Sequence, residues 1–264
     1  MVQKIDGKAI AEKIKKRIAK EINKLDGLRP NLAIILVGDR PDSKIYVHKK
    51  EQQGKAVGID THLYALDADT PEIELLRVID FLNKDDLIDG ILVQLPLPEN
   101  FHTDKVIEAI APEKDVDGFH PRHPDYIVSP VLAAIKACLE DINFAPIGKN
   151  ACVMYNSEVF GASVKKLLAS AGMILVQPDD STQADLLVTA LGEPHKIKSG
   201  AIKKDAVIID IGITPVGDKV LGDVDFKDIK DKAAFITPVP GGIGPMTIAF
   251  LFQNTWEIYK RRHA

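Results

Sequence analysis

The stretch ACVMYNSEVFGASVKKLL, Ala151 to Leu168, decides the fold. Ala151 to Tyr155 is apolar enough for a strand buried on both faces, and from Ala162 to Ser170 the apolar residues fall at helical spacing. A strand, a tight turn and a helix form the unit with which a parallel sheet presents a helix N-terminus to nucleotide phosphates. Such a turn is ordinarily rich in glycine, so that backbone N–H groups can approach the pyrophosphate. Here it reads Tyr155-Asn156-Ser157, with Gly161 in the first helical turn. Asn156 or Ser157 can cap the helix and Gly161 allows close packing, whereas Tyr155 puts a bulky side chain where backbone should meet phosphate. The stretch predicts an α/β sheet and leaves open whether a dinucleotide still binds there.

The same alternation extends in both directions. Downstream come strands over Met173 to Val176, Leu186 to Thr189 and Val207 to Ile211, then the loop TPVPGGIGPMT and a closing helix, Thr247 to Arg261. Upstream, Ile10, Ile14, Ile18, Ile22 and Leu25 mark an amphipathic helix, followed by a buried strand from Asn31 to Gly38. A helix from Pro41 to Val57, a strand from Gly58 to Leu66 and a helix to Leu82, with Thr70 as N-cap and Pro71 at its first position, come next. Gly90 to Leu95 is another buried strand, and Thr103 to Ile110 a short helix. The segment HPRHP, His120 to Pro124, breaks the pattern and reads as a domain junction before a helix over Val131 to Asp141.

Composition narrows the classes of function. The 264 residues are 45% hydrophobic, enough for a sizeable core, and a net charge of -4 leaves no basic excess for nucleic acid. No apolar run approaches the length of a membrane span, and the N-terminal residues lack the apolar core of a signal peptide. The two cysteines, Cys138 and Cys152, sit in apolar surroundings as buried thiols, which fits a reducing cytoplasm. The seven histidines form no metal set, and no G-x-S-x-G turn supports a hydrolytic triad.

Four constellations could carry chemistry. In DSKIYVHKKEQQG, Tyr46 and Lys50 share one helix face beside the carboxyl end of a strand, a pair suited to proton handling if burial lowers the amine's pKa; otherwise Tyr46 packs and Lys50 is solvated. Gln94 ends the strand of GILVQLPLP, where an amide can donate and accept at the ligand edge of a sheet, or simply face a loop. In PEKDVDGFHP, Asp115 and Asp117 occupy a tight turn; a carboxylate there can accept paired N–H bonds from a planar heterocycle, or the turn is an Asx turn completed by Gly118. Gly241, Gly242 and Gly244 in TPVPGGIGPMT let backbone approach a planar ligand or anion, or serve as a hinge.

In this order the segments IDGKAIAEKI, ILVGDRPDSKIYVHKK, DGILVQLPLP, PEKDVDGFHP, VIIDIGI, GDVDF and ITPVPGGIGPMT resemble the bifunctional methylenetetrahydrofolate dehydrogenase/cyclohydrolase family nearly end to end. The resemblance implies two α/β domains with a cleft between them: a folate-binding catalytic domain over residues 1–120 and 245–264, and a Rossmann-like NAD(P)-binding domain over 121–244. It implies that Tyr46, Lys50, Gln94 and Asp117 are catalytic. Tyr46, Gln94, Leu95, Asp117, Gly241, Gly242 and Pro245 would contact a tetrahydrofolate derivative. Tyr155, Asn156, Ser157, Gly161 and Ile213 would contact NADP or NAD. By that analogy Asp117 holds the pterin amino edge, Tyr46 positions the rings, and Lys50 relays protons with Gln94 tuning its amine. The same likeness implies a homodimer, while composition and residue spacing lead to no metal, nucleic-acid or membrane partner being expected.

The departures from the family pattern concentrate on the cofactor side. The first glycine and the proline of its phosphate turn are missing, as is the Arg of many NADP users. Its Cys-His-Ser-x-Thr after the next strand is replaced by Gln177-Pro178-Asp179-Asp180-Ser181. Two carboxylates there would repel a 2′-phosphate, although one could hold a free ribose diol. The segment before QADLLVTALGEP is short enough to have lost a helix, and Pro-Cys-Thr-Pro is reduced to Val128-Ser129-Pro130. Three functions remain: the bifunctional enzyme, which Asp210, Gly212-Ile213 and the glycine-rich loop favour; a cyclohydrolase alone; or a folate-binding scaffold.

Overall fold

The computed structural model describes residues 2–264, whose elements in chain order begin with strand β1 (Gln3–Lys4) and helix α1 (Gly7–Ile22). They continue through β2 (Asn31–Val37), α2 (Pro41–Val57), β3 (Asp60–Leu66), α3 (Glu72–Lys84), β4 (Gly90–Val93) and α4 (Thr103–Ala109). After α5 (Pro130–Asp141) come β5 (Asn150–Tyr155), α6 (Glu158–Ser170), β6 (Ile174–Val176), β7 (Leu186–Ala190) and β8 (Val207–Asp210). The chain ends with β9 (Thr214–Val216), β10 (Lys219–Leu221), α7 (Phe226–Ile229), β11 (Phe235–Ile236) and α8 (Ile243–Arg262).

The chain divides into two α/β units, one made of residues 12–130 and 248–264, the other of the residues through Ala11 with 131–247. In the first, β2 is the central strand of a parallel sheet ordered β3-β2-β4. Alternate residues of β2 are buried on its two faces. Ala33, Ile35 and Val37 pack with Leu75, Ile79 and Leu82 of α3 and with Ile91 and Val93 of β4, while Leu32, Ile34 and Leu36 are buried on the opposite face. A strand apolar at every position is therefore the expected sequence of a sheet covered on both sides.

The second unit is built on six parallel strands in the order β1-β11-β8-β7-β5-β6, with the β9-β10 hairpin apart from it. Cys152, Leu187, Ile208 and Ile236 lie in one core cluster with Ile197, Ile202, Val224 and Ile229. Both cysteines are free and buried, and burial pushes the Cys138 thiol up to about 12 and that of Cys152 to about 11. No helix among the described residues is long and apolar enough to cross a membrane.

The expected domain limits shift for identifiable reasons. Residues 3 and 4 join the larger sheet because β1 pairs with β11, and residues 121–130 belong to the unit of the smaller one. His120 donates its N–H to the buried Asp115, and Asn254 of α8 donates to the carbonyls of Val116 and Val128, so the HPRHP segment is a tethered loop of that unit. Thr70 does not cap α3, whose N-cap is Pro71 without a side-chain hydrogen bond. Helix α6 begins four residues earlier than expected, because Ser157 accepts the Phe160 N–H and fixes the start there. Likewise α8 begins at Ile243 and takes in Gly244-Pro245-Met246; proline costs nothing in a first turn, where its missing N–H has no intrahelical acceptor.

Candidate active site

Three segments converge at the C-terminal edge of the smaller sheet. Helix α2 carries Tyr46 and Lys50 one turn apart, both half-buried. Gln94 follows β4 directly, and its own N–H donates to the Ile35 carbonyl, which holds it against the end of β2. Lys50 Nζ donates to Gln94 Oε1 at 2.9 Å, while Gln94 Nε2 donates to the Leu95 carbonyl at 2.7 Å. Because the amide's donor end is occupied by Leu95, its oxygen faces the amine. Leu95 precedes a cis proline, Pro96.

The aspartate turn separates into two roles. Asp115 is buried and bridges Ile91; its carboxylate accepts the N–H of Asp117 at 3.1 Å and of His120 at 2.7 Å, which is the Asx-turn role. Gly118 closes the turn at φ +63°, and a side chain there would press on the backbone of Ser129. The carboxylate of Asp117 is left without a hydrogen bond among the described residues and lies close enough to Lys50 for each to feel the other's charge. Burial pushes Asp117 up to about 6, with Lys50 opposing and Asp115 reinforcing the rise. Burial likewise lowers the Lys50 amine from its ordinary value, against the pull of Asp117. Burial, then the charge of Asp42, raises the Tyr46 phenol.

The unit with the six-stranded sheet has its own cluster at the strand ends. The Tyr155 ring lies over Gly161 of α6, where an added Cβ would come within 2.5 Å of it, and under the Lys165 ammonium at 4.6 Å. Its hydroxyl accepts from Lys165 Nζ at 2.8 Å and contacts Glu158 at 3.2 Å. The ring is thus packed along α6, and of the helix's first N–H groups Phe160 is capped by Ser157 while those of Glu158 and Val159 stay available to an anion. Asn156 donates to the Leu191 carbonyl, drawing the turn after β5 to the loop after β7.

Two buried aspartates tie the remaining loops together. Asp210 accepts the N–H groups of Gly212, Asp223 and Val224; Asp223 accepts the Thr189 hydroxyl and the N–H groups of Leu191 and Glu193. Thr237 bonds both the N–H and the carbonyl of Asp210. Burial raises Asp210 to about 7. Side chains at Gly212 or Gly222 would collide with these carboxylates. Ile213 is exposed beside this knot, and Gly241, at φ +109°, precedes α8 with only Lys8 near its missing side chain. Gly242 has no such room, since an added Cβ would meet the Pro238 carbonyl at 2.7 Å.

Known proteins match across both units. The family described as tetrahydrofolate dehydrogenase/cyclohydrolase matches with its catalytic domain over residues 5–117 and its NAD(P)-binding domain over 130–263. The chain belongs to the tetrahydrofolate dehydrogenase/cyclohydrolase family. The bifunctional protein FolD of Geotalea daltonii is 44% identical over 99% of this chain and 100% of its own. Among solved structures, the bifunctional FolD of Campylobacter jejuni aligns with a TM-score of 0.94 at 35% identity over 99% of this chain and all of its own. The Trypanosoma brucei FolD, solved with NADP and an inhibitor, aligns at 0.93 and 31% identity over 98% of each chain.

Within this family frame, the sequence singled out Tyr46, Lys50, Gln94, Leu95 and Asp117, and the structure gathers them on one unit. Gly241, Gly242 and Pro245 belong to the other, as do Tyr155, Asn156, Ser157, Gly161 and Ile213. Sequence reading missed Thr189, Asp223 and Thr237, whose signal was a lone polar residue inside an apolar strand and the acidic pair of GDVDF. It also missed Asn254, a single amide on the apolar face of α8. The helix expected to be lost before β7 is replaced by a 3-10 helix over Pro178–Gln183.

Proposed function

We propose that this family member oxidises 5,10-methylene-tetrahydrofolate to the methenyl form with NADP or NAD, and hydrolyses that product to 10-formyl-tetrahydrofolate. The observation that carries the reading is the Lys50–Gln94 hydrogen bond beside Asp117, in a chain that has both family domains. The presence of the NAD(P)-binding domain favours the two-step enzyme over a cyclohydrolase alone or a scaffold.

In the hydrolytic step, water adds to the methenyl carbon and gives its proton to the Lys50 amine, whose pKa burial lowers from its ordinary value. The bond from that carbon to one ring nitrogen then breaks as the added hydroxyl becomes the formyl carbonyl and releases its own proton to solvent, and the ammonium returns the first proton to the nitrogen released. Gln94 Oε1 holds the amine through this exchange. Ionised Asp117 accepts paired N–H bonds from the pterin amino edge, and Tyr46 positions the rings. Leu95 contributes its backbone, and Gly241, Gly242 and Pro245 the rigid start of α8.

In the oxidative step the nicotinamide, when bound, accepts a hydride, so the chain's task is alignment. The first turn of α6, with Ser157, Asn156 and Gly161, would hold the pyrophosphate, and Tyr155 would flank it. Ile213, beside the aspartate knot, would meet the nicotinamide half. NADP in the Trypanosoma brucei relative supports a dinucleotide at this domain. The same reading makes the protein a cytoplasmic homodimer, supported by its buried free thiols and the family likeness.

Purified protein given methylene-tetrahydrofolate with NADP, and separately with NAD, is expected to develop methenyl absorbance, and to hydrolyse methenyl-tetrahydrofolate above the spontaneous rate. Hydrolysis without oxidation would leave the cyclohydrolase alone, and neither activity would leave the scaffold.

A further inference from the structure

We infer that the dinucleotide site, granted the dehydrogenase reading above, takes NAD in preference to NADP, and that Asp179 and Asp180 set that preference. In a parallel sheet of this kind, the strand beside the phosphate-turn strand ends at the adenosine ribose, about 20 residues beyond the turn, and an acidic side chain there accepts the ribose hydroxyls. β6 is that strand: it pairs with β5 alone, in a register that sets Cys152 against Val176, and the chain then passes directly into Pro178, Asp179 and Asp180.

The two carboxylates are placed for a diol. Both residues are exposed in the first turn of the 3-10 helix, held by Pro178 at its start. Asp179 makes no side-chain hydrogen bond or ion pair among the described residues, and Asp180 commits one oxygen to Gln183 Nε2 at 2.9 Å. An ionised carboxylate accepts hydrogen bonds from the 2′- and 3′-hydroxyls of NAD, whereas the 2′-phosphate of NADP offers only negative charge to both.

Lys165, on the helix that follows the phosphate turn, is already engaged. Lys165 and Asp180 both act on the Cys152 thiol, one lowering and the other raising its pKa, so they flank the same strand; the Lys165 ammonium is bonded to the Tyr155 hydroxyl and lies over its ring. Asn156, in the turn itself, donates to the Leu191 carbonyl and brings no positive charge. Repulsion at Asp179 and Asp180 is therefore not cancelled by a free cation from the phosphate turn.

Calorimetric titration of the full-length protein with NAD, NADP, adenosine 5′-monophosphate and adenosine 2′,5′-bisphosphate tests this without turnover. Binding of NAD and of the monophosphate is expected to be tighter by at least about tenfold than that of the 2′-phosphorylated partners. The double variant Asp179→Ser/Asp180→Ser, its fold checked by thermal melting, should bring NADP to equal or tighter binding and weaken NAD. Tighter NADP binding by the unaltered protein would overturn the preference and leave the dehydrogenase reading intact. An unchanged ratio in the variant would overturn the role of the two aspartates. If neither dinucleotide bound, both the preference and the oxidative half of the function would fall, and hydrolysis of methenyl-tetrahydrofolate would survive.

Discussion

The proposed hydrolysis rests on an amine and a carboxyl whose pKa values burial drives toward each other. Lys50 is lowered and Asp117 raised to about 6, so each titrates nearer neutrality than it would in water. Lys50→Met keeps length and removes the amine; cyclohydrolase turnover should fall by about 100-fold or more while folate still binds, as general acid–base steps of this kind contribute. Unchanged hydrolysis in a stopped-flow assay would remove Lys50 from the role. For Asp117 the sign follows from its raised value. The ionised form that accepts pterin N–H bonds is populated above about pH 6, so folate affinity should be full there and decline below it. Folding responds oppositely: this carboxyl stabilises the native state below its unfolded pKa, and that contribution is lost as pH rises through about 6. Both dependences should vanish in Asp117→Asn, measured by folate titration and urea unfolding across pH 4 to 8. At this scale the sequence could bring Lys50 and Gln94 together as candidates because i, i+4 spacing and strand-end position are local properties. Which of Asp115 and Asp117 faces the amine was not local: Asp115 turns inward to bond His120, and only the folded loop shows that.

Among the elements, β5 and α6 answer the doubt raised by Tyr155. A bulky residue in a phosphate turn obstructs the ligand only if its ring projects into the turn, and here Gly161 gives it a place on the helix. Gly161→Ala should therefore lose about 1–3 kcal/mol to overpacking against the ring, offset by about 1 kcal/mol of helix propensity. In a Tyr155→Ala background the same change should be neutral or stabilising, giving a coupling of about 1 kcal/mol or more in a double-mutant cycle of denaturation midpoints. Additive effects would show that the ring does not rest on the glycine. The start of α6 was misjudged from sequence because a cap depends on which hydroxyl the turn brings within reach, here that of Ser157.

For the whole molecule, two sheets of one parallel class were legible because strands buried on both faces read as unbroken apolar runs. The proposed homodimer belongs to this scale: light scattering on the purified protein should give twice the 28.9 kDa chain mass, and a monomer at working concentration would reject it. Short strands were not legible. β1 and β11, two residues each, and the β9–β10 hairpin carry too few side chains for any period to register, yet β1 decides that the chain's first residues join the larger sheet. By itself, then, the sequence determined the α/β class, the long strands and helices, and the family. These rest on local periodicity and on motifs contiguous in the chain. Only the tertiary structure decided where Tyr155 points, which aspartate meets Lys50, and how Asp210 and Asp223 bind three loops. The aspartate contacts join groups far apart in sequence that meet only when the chain folds, and the direction of the Tyr155 ring is set by packing on α6 that a sequence pattern does not display.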